Sequence, residues 1–388
     1  MVPQRRKTRA VWVGNVKVGD YAPIVVQSMC DTHTADIDAT VKQIHELEQS
    51  GCNVIRVAVD TKREVEAVKE IKKQIKIPLI ADIQFNYRMA LEVAPFVDKV
   101  RVNPGHFNHV EKEKPLEKKM DELVAVLKEH GKPVRVGVNN GSLEEGFKQK
   151  YGLTPKAMVE SALWYVDMFE KRGFADVIVS LKDSHLDAAV EAYKAFAERS
   201  SCPLHLGVTE AGPTAEGVVK STIAMSDLIR SGVGDTIRIS LTTNDKTEEV
   251  RAGHALLQAL GVAAQARYFV SCPSCSRVES RKFQDLAKVV DAITRTIQEP
   301  VTIAVMGCSV NGPGESEDAD VGVWCGATNV RLVVQAKEIG FWSYDRIIPP
   351  LLDAVNSVVE KKYGKRYDFP IPTTGEFAPP PALAPRGV

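Results

Sequence analysis

Short β-branched runs alternate with amphipathic stretches along the chain up to about residue 260. Eight apolar runs have strand length: Ile24–Met29, Val54–Val59, Pro78–Ile83, Lys99–Pro104, Pro133–Asn139, Val177–Lys182, Pro203–Glu210 and Asp235–Thr242. Six stretches between them are predicted helices: Asp36–Gln49, Lys62–Gln74, Pro155–Lys171, Leu186–Ser200, Thr214–Ser231 and Glu248–Leu260. Eight strand–helix units favour an α/β fold of the closed (β/α)8 TIM-barrel type, with a doubly wound open sheet as the alternative.

The pattern changes after residue 262. Helix-like stretches at Arg281–Gln298 and Arg346–Lys362 alternate with strand-like runs at Val301–Met306 and Val330–Gln335. This mixture predicts a smaller α+β domain. We therefore expect a barrel domain over residues 1–262, a second domain over 263–370 and a tail rich in Pro and Ala over 371–388.

Charged residues inside the predicted strands give the first functional signal. Side chains alternate between the two faces of a strand, and the outer face of a barrel packs on helices. Six strands direct a basic residue to the inner face: Arg56, Arg101, Arg135, Lys182, His205 and Arg238. Asn103, Asn139, Thr209 and Ser240 share that face, whereas the acids Asp82 and Glu210 are too few to neutralise the bases.

Buried cations without partners are costly, so this inner face predicts an anionic ligand. The planar guanidinium group matches phosphate oxygens in a bidentate manner, which favours a polyphosphorylated molecule. The alternative is structural: each base pairs with an acid from elsewhere in the chain.

Three cysteines give the second signal. Cys272 and Cys275 form a C-x2-C pair, and Cys308 lies in a turn rich in Gly and Pro. This spacing suits zinc and an iron–sulfur cluster equally. A fourth ligand is then needed, and the candidates are Glu315, in the same turn segment as Cys308, and Cys325.

The composition of the chain limits its binding partners and its cellular location. Lys and Arg together number 50 and so do Asp and Glu, so no overall charge attracts nucleic acid or a membrane. No apolar run has the length of a membrane span or of a signal peptide, which predicts a cytoplasmic protein. The odd count of seven cysteines favours reduced thiols or metal ligands over disulfides.

Several motifs resemble the family of 4-hydroxy-3-methylbut-2-enyl diphosphate synthases of the non-mevalonate isoprenoid pathway. They are Arg5–Arg9, Ala22–Met29, Arg135–Asn139, Pro203–Gly212, Cys272–Arg277 and Gly307–Glu315. The resemblance extends from about residue 5 to about residue 365. It implies a TIM barrel followed by an iron–sulfur domain like those of sulfite reductases. It also implies a homodimer in which the cluster of one subunit caps the barrel of the other.

The same resemblance implies a chemistry. A 4Fe–4S cluster would be held by Cys272, Cys275, Cys308 and Glu315. The enzyme would reductively open 2-C-methyl-D-erythritol 2,4-cyclodiphosphate and remove a hydroxyl group, giving (E)-4-hydroxy-3-methylbut-2-enyl diphosphate. Flavodoxin or ferredoxin would supply two electrons.

Carried over by motif, the diphosphate-binding positions of the family fall on Arg56, Arg101, Arg135, Lys182, Arg238 and Ser240. Supporting contacts fall on Asn103, Asn139, His205 and Thr209. Glu210 resembles the acid that handles protons, and Asn311 would lie beside the cluster. The chain departs from many relatives at Gln84, where a histidine is expected.

Two other functions fit parts of the sequence. A barrel enzyme without a cluster would bind a pterin-type diphosphate, as dihydropteroate synthases do, but would not need the cysteines. An electron carrier or redox sensor would need the cysteines but not the inward-facing arginines.

Overall fold

A computed structural model describes residues 4–107, 109–262, 267–372 and 377. The chain divides into two compact units, Met1–Ala263 and Ala264–Val388. The first unit opens with an antiparallel hairpin of β1 (Val11–Val13) and β2 (Val16–Val18), which the sequence analysis did not predict. Gly14 supplies the left-handed turn of this hairpin, with φ at 58°.

Eight parallel strands follow. They are β3 (Val25–Met29), β4 (Val54–Ala58), β5 (Leu79–Ile83), β6 (Lys99–Val102), β7 (Val134–Asn139), β8 (Val177–Lys182), β9 (His205–Leu206) and β10 (Thr236–Ile237). Their spatial order is β8-β7-β6-β5-β4-β3-β10-β9. A parallel bridge between Val179 and Leu204 joins β8 to β9 and closes the circle. The predicted TIM barrel is confirmed.

The helices of this unit lie between the strands along the chain. They are α1 (Ile37–Gln49), α2 (Lys62–Gln74), α3 (Tyr87–Val93), α4 (Pro104–Phe107), α5 (Leu116–Glu129), α6 (Glu145–Tyr151), α7 (Pro155–Lys171), α8 (Leu186–Arg199), α9 (Thr214–Arg230) and α10 (Thr247–Ala259). All six predicted helices are present, and α3, α4, α5 and α6 were missed. No helix in the described ranges is long and apolar enough to cross a membrane.

Helix α2 shows how local sequence fixes these elements. The Thr61 side chain accepts a hydrogen bond from the Glu64 N–H, and the Glu64 carboxylate accepts from the Thr61 N–H. This capping box satisfies two N–H groups that the helix itself leaves free, so Thr61→Ala costs about 1 kcal/mol. Val65, Val68 and Ile71 then recur at helical spacing and are buried against the barrel.

The hairpin closes the floor of the barrel. Val11, Val13 and Val18 form one apolar cluster with the inward side chains at the amino ends of the strands: Val25, Val54, Ile80 and Ile178. Each of these side chains is at most 5% exposed. The opposite, carboxyl end of the strands is where TIM barrels carry their functional residues.

The second unit has a mixed five-stranded sheet in the order β11-β12-β13-β14-β15. The strands are β11 (Tyr268–Ser271), β12 (Thr302–Met306), β13 (Val321–Cys325), β14 (Asn329–Val334) and β15 (Lys337–Ser343). The helices are α11 (Lys282–Thr294), α12 (Gly312–Glu315) and α13 (Ile348–Tyr363). The core of the unit combines side chains of α11 and α13 with those of β12, β13 and β14. Phe377, in the expected tail, is buried in this core, and residues 378–388 lie outside the described residues.

Candidate functional site

The strand registers sort the inward side chains of the barrel into layers. Alternate strands of a TIM barrel contribute four side chains to each layer. From the floor upwards the layers are Val54, Lys99, Ile178 and Thr236; Gln27, Ile80, Arg135 and His205; Arg56, Arg101, Ser180 and Arg238; and Met29, Asp82, Gly137 and Gly207. The mouth follows with Asn103, Asn139, Lys182 and Ser240.

Asp82 is the acid at the centre of the lumen. Its carboxylate accepts from Arg101 Nη1 at 2.8 Å and lies 3.5 Å from Arg56 Nε. Burial alone would raise the pKa of Asp82, but the charges of Arg101, Arg56 and Arg135 outweigh burial and hold that pKa below its ordinary value. Asp82 is therefore ionised at neutral pH.

A second acid reaches the site from a helix. Glu249 of α10 is 1% exposed and accepts from Arg238 Nη2 at 3.3 Å and from Lys246 Nζ at 3.1 Å. It also accepts from the Leu241 N–H at 2.9 Å. Parity along strands cannot reveal such a residue, because it lies on a helix, and the sequence analysis missed it.

Three inward cations, Lys99, Arg135 and Lys182, have no carboxylate partner in the described part of the chain. Arg135 is 1% exposed, and its Nε and Nη1 atoms have no hydrogen-bond partner among the described residues. Burial first, then the charges of Arg56 and Arg101, lower the pKa of Arg135 well below its ordinary value. Burial likewise lowers the pKa of Lys182, with Arg56 and Arg238 adding to the effect. These two groups are the strongest sign of an anionic ligand.

Two glycines make room for the cations. A Cβ atom on Gly137 would lie 2.4 Å from Arg101 Nε, and one on Gly207 would lie 2.8 Å from Lys182 Nζ. Neither contact is sterically possible, so the side chains of Arg101 and Lys182 occupy space that any other residue would fill.

The mouth carries the remaining predicted residues. Asn103 Nδ2 donates to Ser142 Oγ at 3.0 Å, and Asn139 Oδ1 accepts from the Gly141 N–H at 3.1 Å. Thr209 is half-buried. Glu210 is exposed and has a left-handed backbone with φ at 54°. A non-glycine residue in this region is strained, and such strain is concentrated at functional sites.

The predicted cluster ligands lie together in the second unit. Cys272, Cys275, Cys308 and Glu315 line one cavity of about 150 Å³, together with Asn311. Asn311 Nδ2 donates to Glu315 Oε1 at 3.3 Å.

Hydrogen-bond donors face two of the sulfur atoms. The Gly307 N–H donates to Cys272 Sγ at 3.3 Å, and Arg277 Nη1 lies 3.8 Å from Cys275 Sγ. The backbone and side chain of Arg277 lower the pKa of Cys275. A Cβ on Gly307 would lie 3.1 Å from Cys272 Sγ, so glycine lets this backbone approach the sulfur without a tight contact. Such donors stabilise thiolates and tune the clusters that they hold.

Cys325 does not belong to this group. It is fully buried in β13, it packs in the apolar core, and burial raises its pKa to about 12. Among the described residues, no three His, Cys, Asp or Glu side chains converge closely enough to form a preassembled metal site. The four potential ligands thus line one cavity, but their side chains are not arranged as a preassembled metal site.

Sequence similarity to known proteins extends along nearly the whole chain. The model of the GcpE TIM-barrel domain matches residues 8–254, and that of the GcpE protein C-terminal domain matches residues 268–357. The chain belongs to the GcpE family. Proteins named 4-hydroxy-3-methylbut-2-en-1-yl diphosphate synthase (flavodoxin) are similar to it throughout.

Three such GcpE relatives illustrate the similarity. The protein of Caldanaerobacter subterraneus subsp. tengcongensis is 42% identical over 364 residues, covering 93% of this chain and 100% of its own. That of Symbiobacterium thermophilum is 43% identical and covers 91% and 93%. That of Rhodopirellula baltica is 43% identical and covers 92% and 98%. The family recognised from the motifs is confirmed.

The GcpE barrel contains acid–base pairs that the sequence analysis did not predict. Asp82 pairs with both Arg56 and Arg101, and Glu249 pairs with Arg238. One carboxylate can bridge two guanidinium groups on the strands that flank its own, and a helix supplies the second acid. The described inward cations still outnumber these two carboxylates.

Lys99 was also overlooked. It has the same strand parity as Arg101, which would have revealed it, and it is fully buried near the floor. The likeness of the second unit to sulfite reductases stays a prediction.

Proposed function

We propose that this chain reductively opens 2-C-methyl-D-erythritol 2,4-cyclodiphosphate to (E)-4-hydroxy-3-methylbut-2-enyl diphosphate. Membership of the GcpE family supports the reaction. The single structural observation that carries the proposal is Arg135, a guanidinium group at 1% exposure with two nitrogens free of protein acceptors in the described chain. A bound diphosphate would give this cation the acceptors that the protein does not.

The lumen binds the diphosphate by charge and by position. Arg135 and Lys182 take its oxygens directly, because no described carboxylate competes for them. Arg56, Arg101 and Arg238 retain donors beyond those used by Asp82 and Glu249. Asn103, Asn139, His205, Thr209 and Ser240 complete the contacts. Positioned donors of this kind lower a barrier by orienting the substrate and by stabilising charge that develops during reaction.

The second unit fits a 4Fe–4S cluster. Cys272, Cys275 and Cys308 would bind three irons and Glu315 the fourth, since these four side chains share one cavity and Cys325 is elsewhere. The bound cluster would supply low-potential electrons and a Lewis-acidic iron. A carboxylate oxygen is a harder and weaker ligand for this centre than a thiolate, which leaves the fourth position open to exchange. Asn311 holds the Glu315 carboxylate in place.

Glu210 would deliver the proton that accompanies loss of the hydroxyl group. Glu210 is exposed, follows β9 at the carboxyl end of the barrel strands, and has a strained left-handed backbone of the kind concentrated at functional sites. A proton donor must reach the leaving oxygen within hydrogen-bond distance, and this position lies where substrate enters.

The relatives are named for flavodoxin, so reduced flavodoxin is the electron donor we propose, with ferredoxin as the alternative. We further propose a homodimer in which the cluster of one subunit serves the barrel of its partner. All seven cysteines are free, which suits a reducing compartment such as the cytoplasm.

The test is turnover by anaerobically prepared full-length protein. We expect iron, an electron paramagnetic resonance signal that the cyclodiphosphate changes, and linear diphosphate product when reduced flavodoxin is present. Cys308→Ser should abolish signal and product together. Cys325→Ala, the matched control, should keep both, because this thiol lies outside the cavity.

Two outcomes would refute the proposed reaction, and a third would change the proposed ligand set. A colourless protein that holds zinc favours the enzyme without a cluster. An iron protein that never turns over the cyclodiphosphate favours an electron carrier. If Cys325→Ala loses the electron paramagnetic resonance signal and Glu315→Ala keeps it, the fourth ligand would be Cys325 and not Glu315.

A further inference from the structure

The turn after β6 carries a histidine that the proposed function leaves without a role. Asn103 follows β6 on its inward face and is 4% exposed, and His106 lies three residues later in α4. Gly105, between them, is pressed against the turn after β7, since a Cβ atom there would lie 1.6 Å from the carbonyl oxygen of Ser142. The two turns at the barrel mouth therefore pack backbone against backbone.

The side-chain amide of Asn103 makes three hydrogen bonds within these turns. Its Oδ1 accepts from the Gly105 N–H at 3.2 Å. Its Nδ2 lies 3.0 Å from Ser142 Oγ and 3.2 Å from His106 Nδ1. A backbone N–H can only donate, so the atom that faces Gly105 is the amide oxygen and the group that faces His106 is the NH2. The backbone thus determines the orientation of the amide.

This orientation determines the state of the His106 ring. Because Nδ1 faces an NH2 group, it accepts through its lone pair, so the ring is neutral and its hydrogen is on Nε2. The ring stacks on Phe85, with centroids 4.3 Å apart and planes at 26°, and His109 packs against the same phenyl ring at 5.3 Å. The position and the tautomer of His106 are therefore both defined by its neighbours.

The surroundings of His106 favour the neutral ring. The charged or titratable groups that act on it are Arg101 of β6 and His109, and both are basic. Phe85 and Ser142, from the neighbouring loops, carry no charge. Burial first, then Arg101 and His109, lower the pKa of His106 below its ordinary value. At neutral pH the Nδ1 lone pair is thus available to Asn103.

The three hydrogen bonds limit what Asn103 can offer to a ligand. A carboxamide has two N–H donors and an oxygen with two lone pairs. In Asn103 both donors and one lone pair are used. The amide can therefore accept from a hydroxyl group but has no N–H left for a phosphate oxygen. The proposed substrate is a tetrol phosphorylated at positions 2 and 4, so its hydroxyl groups at positions 1 and 3 are free.

We propose that His106 is a positioning residue that holds the Asn103 amide with its oxygen directed to a free hydroxyl group of the cyclodiphosphate. The inference rests on the proposed function and deepens it, because it assigns Asn103 to the carbon skeleton and leaves the phosphates to the cations. A protonated ring would oppose the Asn103 NH2 group with a second donor. Turning the amide over would instead set that NH2 group against the Gly105 N–H. In either case the amide loses its position.

Calorimetric titration of the anaerobic full-length protein with the cyclodiphosphate, without reductant, tests this role. His106→Phe keeps a ring against Phe85 but removes the acceptor, and we expect the Kd at pH 7.5 to rise about tenfold. His106→Asn places an amide oxygen near the position of Nδ1 and should keep the Kd within about twofold of the unmodified protein. His130→Phe, at the exposed end of α5, is the matched control and should change nothing.

The affinity should also depend on pH in a defined direction. Only the neutral ring supports binding, so the Kd should rise as pH falls through the pKa of His106, on the acid side of the ordinary value of 6.5. Between pH 7.5 and pH 5 we expect a rise of about threefold or more that His106→Asn lacks. The phosphates of a cyclic diphosphate keep their single charges over this range. The same pH dependence in both proteins would overturn the proposal.

A double-mutant cycle shows whether His106 acts through Asn103. Asn103→Ala should itself weaken binding, and adding His106→Phe should then cause no further rise in Kd, because there is no amide left to hold. Two effects that multiply would overturn the positioning role. Normal binding by His106→Phe would overturn this inference alone, whereas an unmodified protein that does not bind the cyclodiphosphate would overturn the proposed function as well.

Discussion

At the scale of single residues, Arg135 shows how binding and stability oppose each other. The guanidinium group is buried beside Arg56 and Arg101 and lacks acceptors for two nitrogens among the described residues. Such a group destabilises the free protein and gains its acceptors from a ligand. The same side chain should therefore lower stability and raise affinity.

We predict that Arg135→Met separates these two effects. The KM for the cyclodiphosphate should rise roughly a hundredfold, which corresponds to a loss of about 3 kcal/mol in binding free energy. Without substrate, the free energy of unfolding should increase by about 1 kcal/mol, since an unpaired buried charge is removed. Steady-state kinetics and urea titration measure the two quantities. As a control, Arg230→Met at the exposed end of α9 should change neither the KM nor the free energy of unfolding. An Arg135→Met protein that is less stable and has a normal KM would contradict the prediction.

Asp82 gives a prediction with a defined pH dependence. Its folded pKa is below the ordinary value, so its contribution to stability is present above the unfolded pKa of about 4 and is lost as pH falls through the folded pKa. Asp82→Asn leaves Arg56 and Arg101 without their carboxylate and should cost about 3 kcal/mol at pH 7. The difference between variant and unmodified protein should shrink below about pH 4. Urea titrations at pH 7 and pH 3 test this, and a difference that grows on acidification would refute the role of the carboxylate.

At the scale of elements, strand β7 has a glycine at the position where a side chain of the neighbouring strand β6 needs space. Gly137 leaves the space that Arg101 of β6 needs to reach Asp82. We predict that Gly137→Ala displaces Arg101, lowers stability by about 2 kcal/mol and raises KM at least tenfold, because both the ion pair and a phosphate donor are lost. Gly146→Ala is the matched control. It lies in α6 with nothing near its added methyl group, so it should be neutral or stabilising by up to about 1 kcal/mol. Equal effects of the two substitutions would remove the steric explanation.

The elements also show what the sequence could and could not reveal. Long segments with clear periodicity, such as Lys62–Gln74 and Pro155–Lys171, were predicted with the bounds that the structure has. Strands β9 and β10 are much shorter than predicted. Around β9, Pro203 has no N–H to donate and Gly207 packs against Lys182, so the ladder is restricted to His205–Leu206.

In the second unit, β12 and β14 were predicted, whereas β11, β13 and β15 were missed, as was the floor hairpin, for another reason. Segments such as Val11–Val13 and Tyr268–Ser271 are too short for periodicity to identify, and tertiary pairing alone makes them strands. In the candidate site, the alternation of side chains along each strand correctly predicted which basic residues face the lumen. It could not reveal Glu249, whose contact with Arg238 depends on how α10 packs against the barrel.

At the scale of the whole molecule, charge is balanced overall and unbalanced locally. The chain carries 50 basic and 50 acidic residues, yet the described lumen holds more inward cations than carboxylates. Long-range attraction of anions is therefore weak, and under the proposed function the affinity for a diphosphate would come from the buried groups. The lumen supplies binding and the cysteine unit would supply electrons, so neither unit alone has a complete function.

The proposed exchange of clusters between subunits predicts complementation. Cys308→Ser disables the cluster and leaves the lumen intact, whereas Arg135→Met disables the lumen and leaves the cysteine cavity intact. Each variant alone should be inactive at substrate concentrations near the original KM. A mixed dimer, isolated through two different affinity tags, would unite the intact barrel of one subunit with the intact cluster of the other. It should recover about half of the normal activity, because the remaining pair combines both defects. An inactive mixed dimer with iron bound in one subunit would mean that each barrel uses the cluster of its own chain.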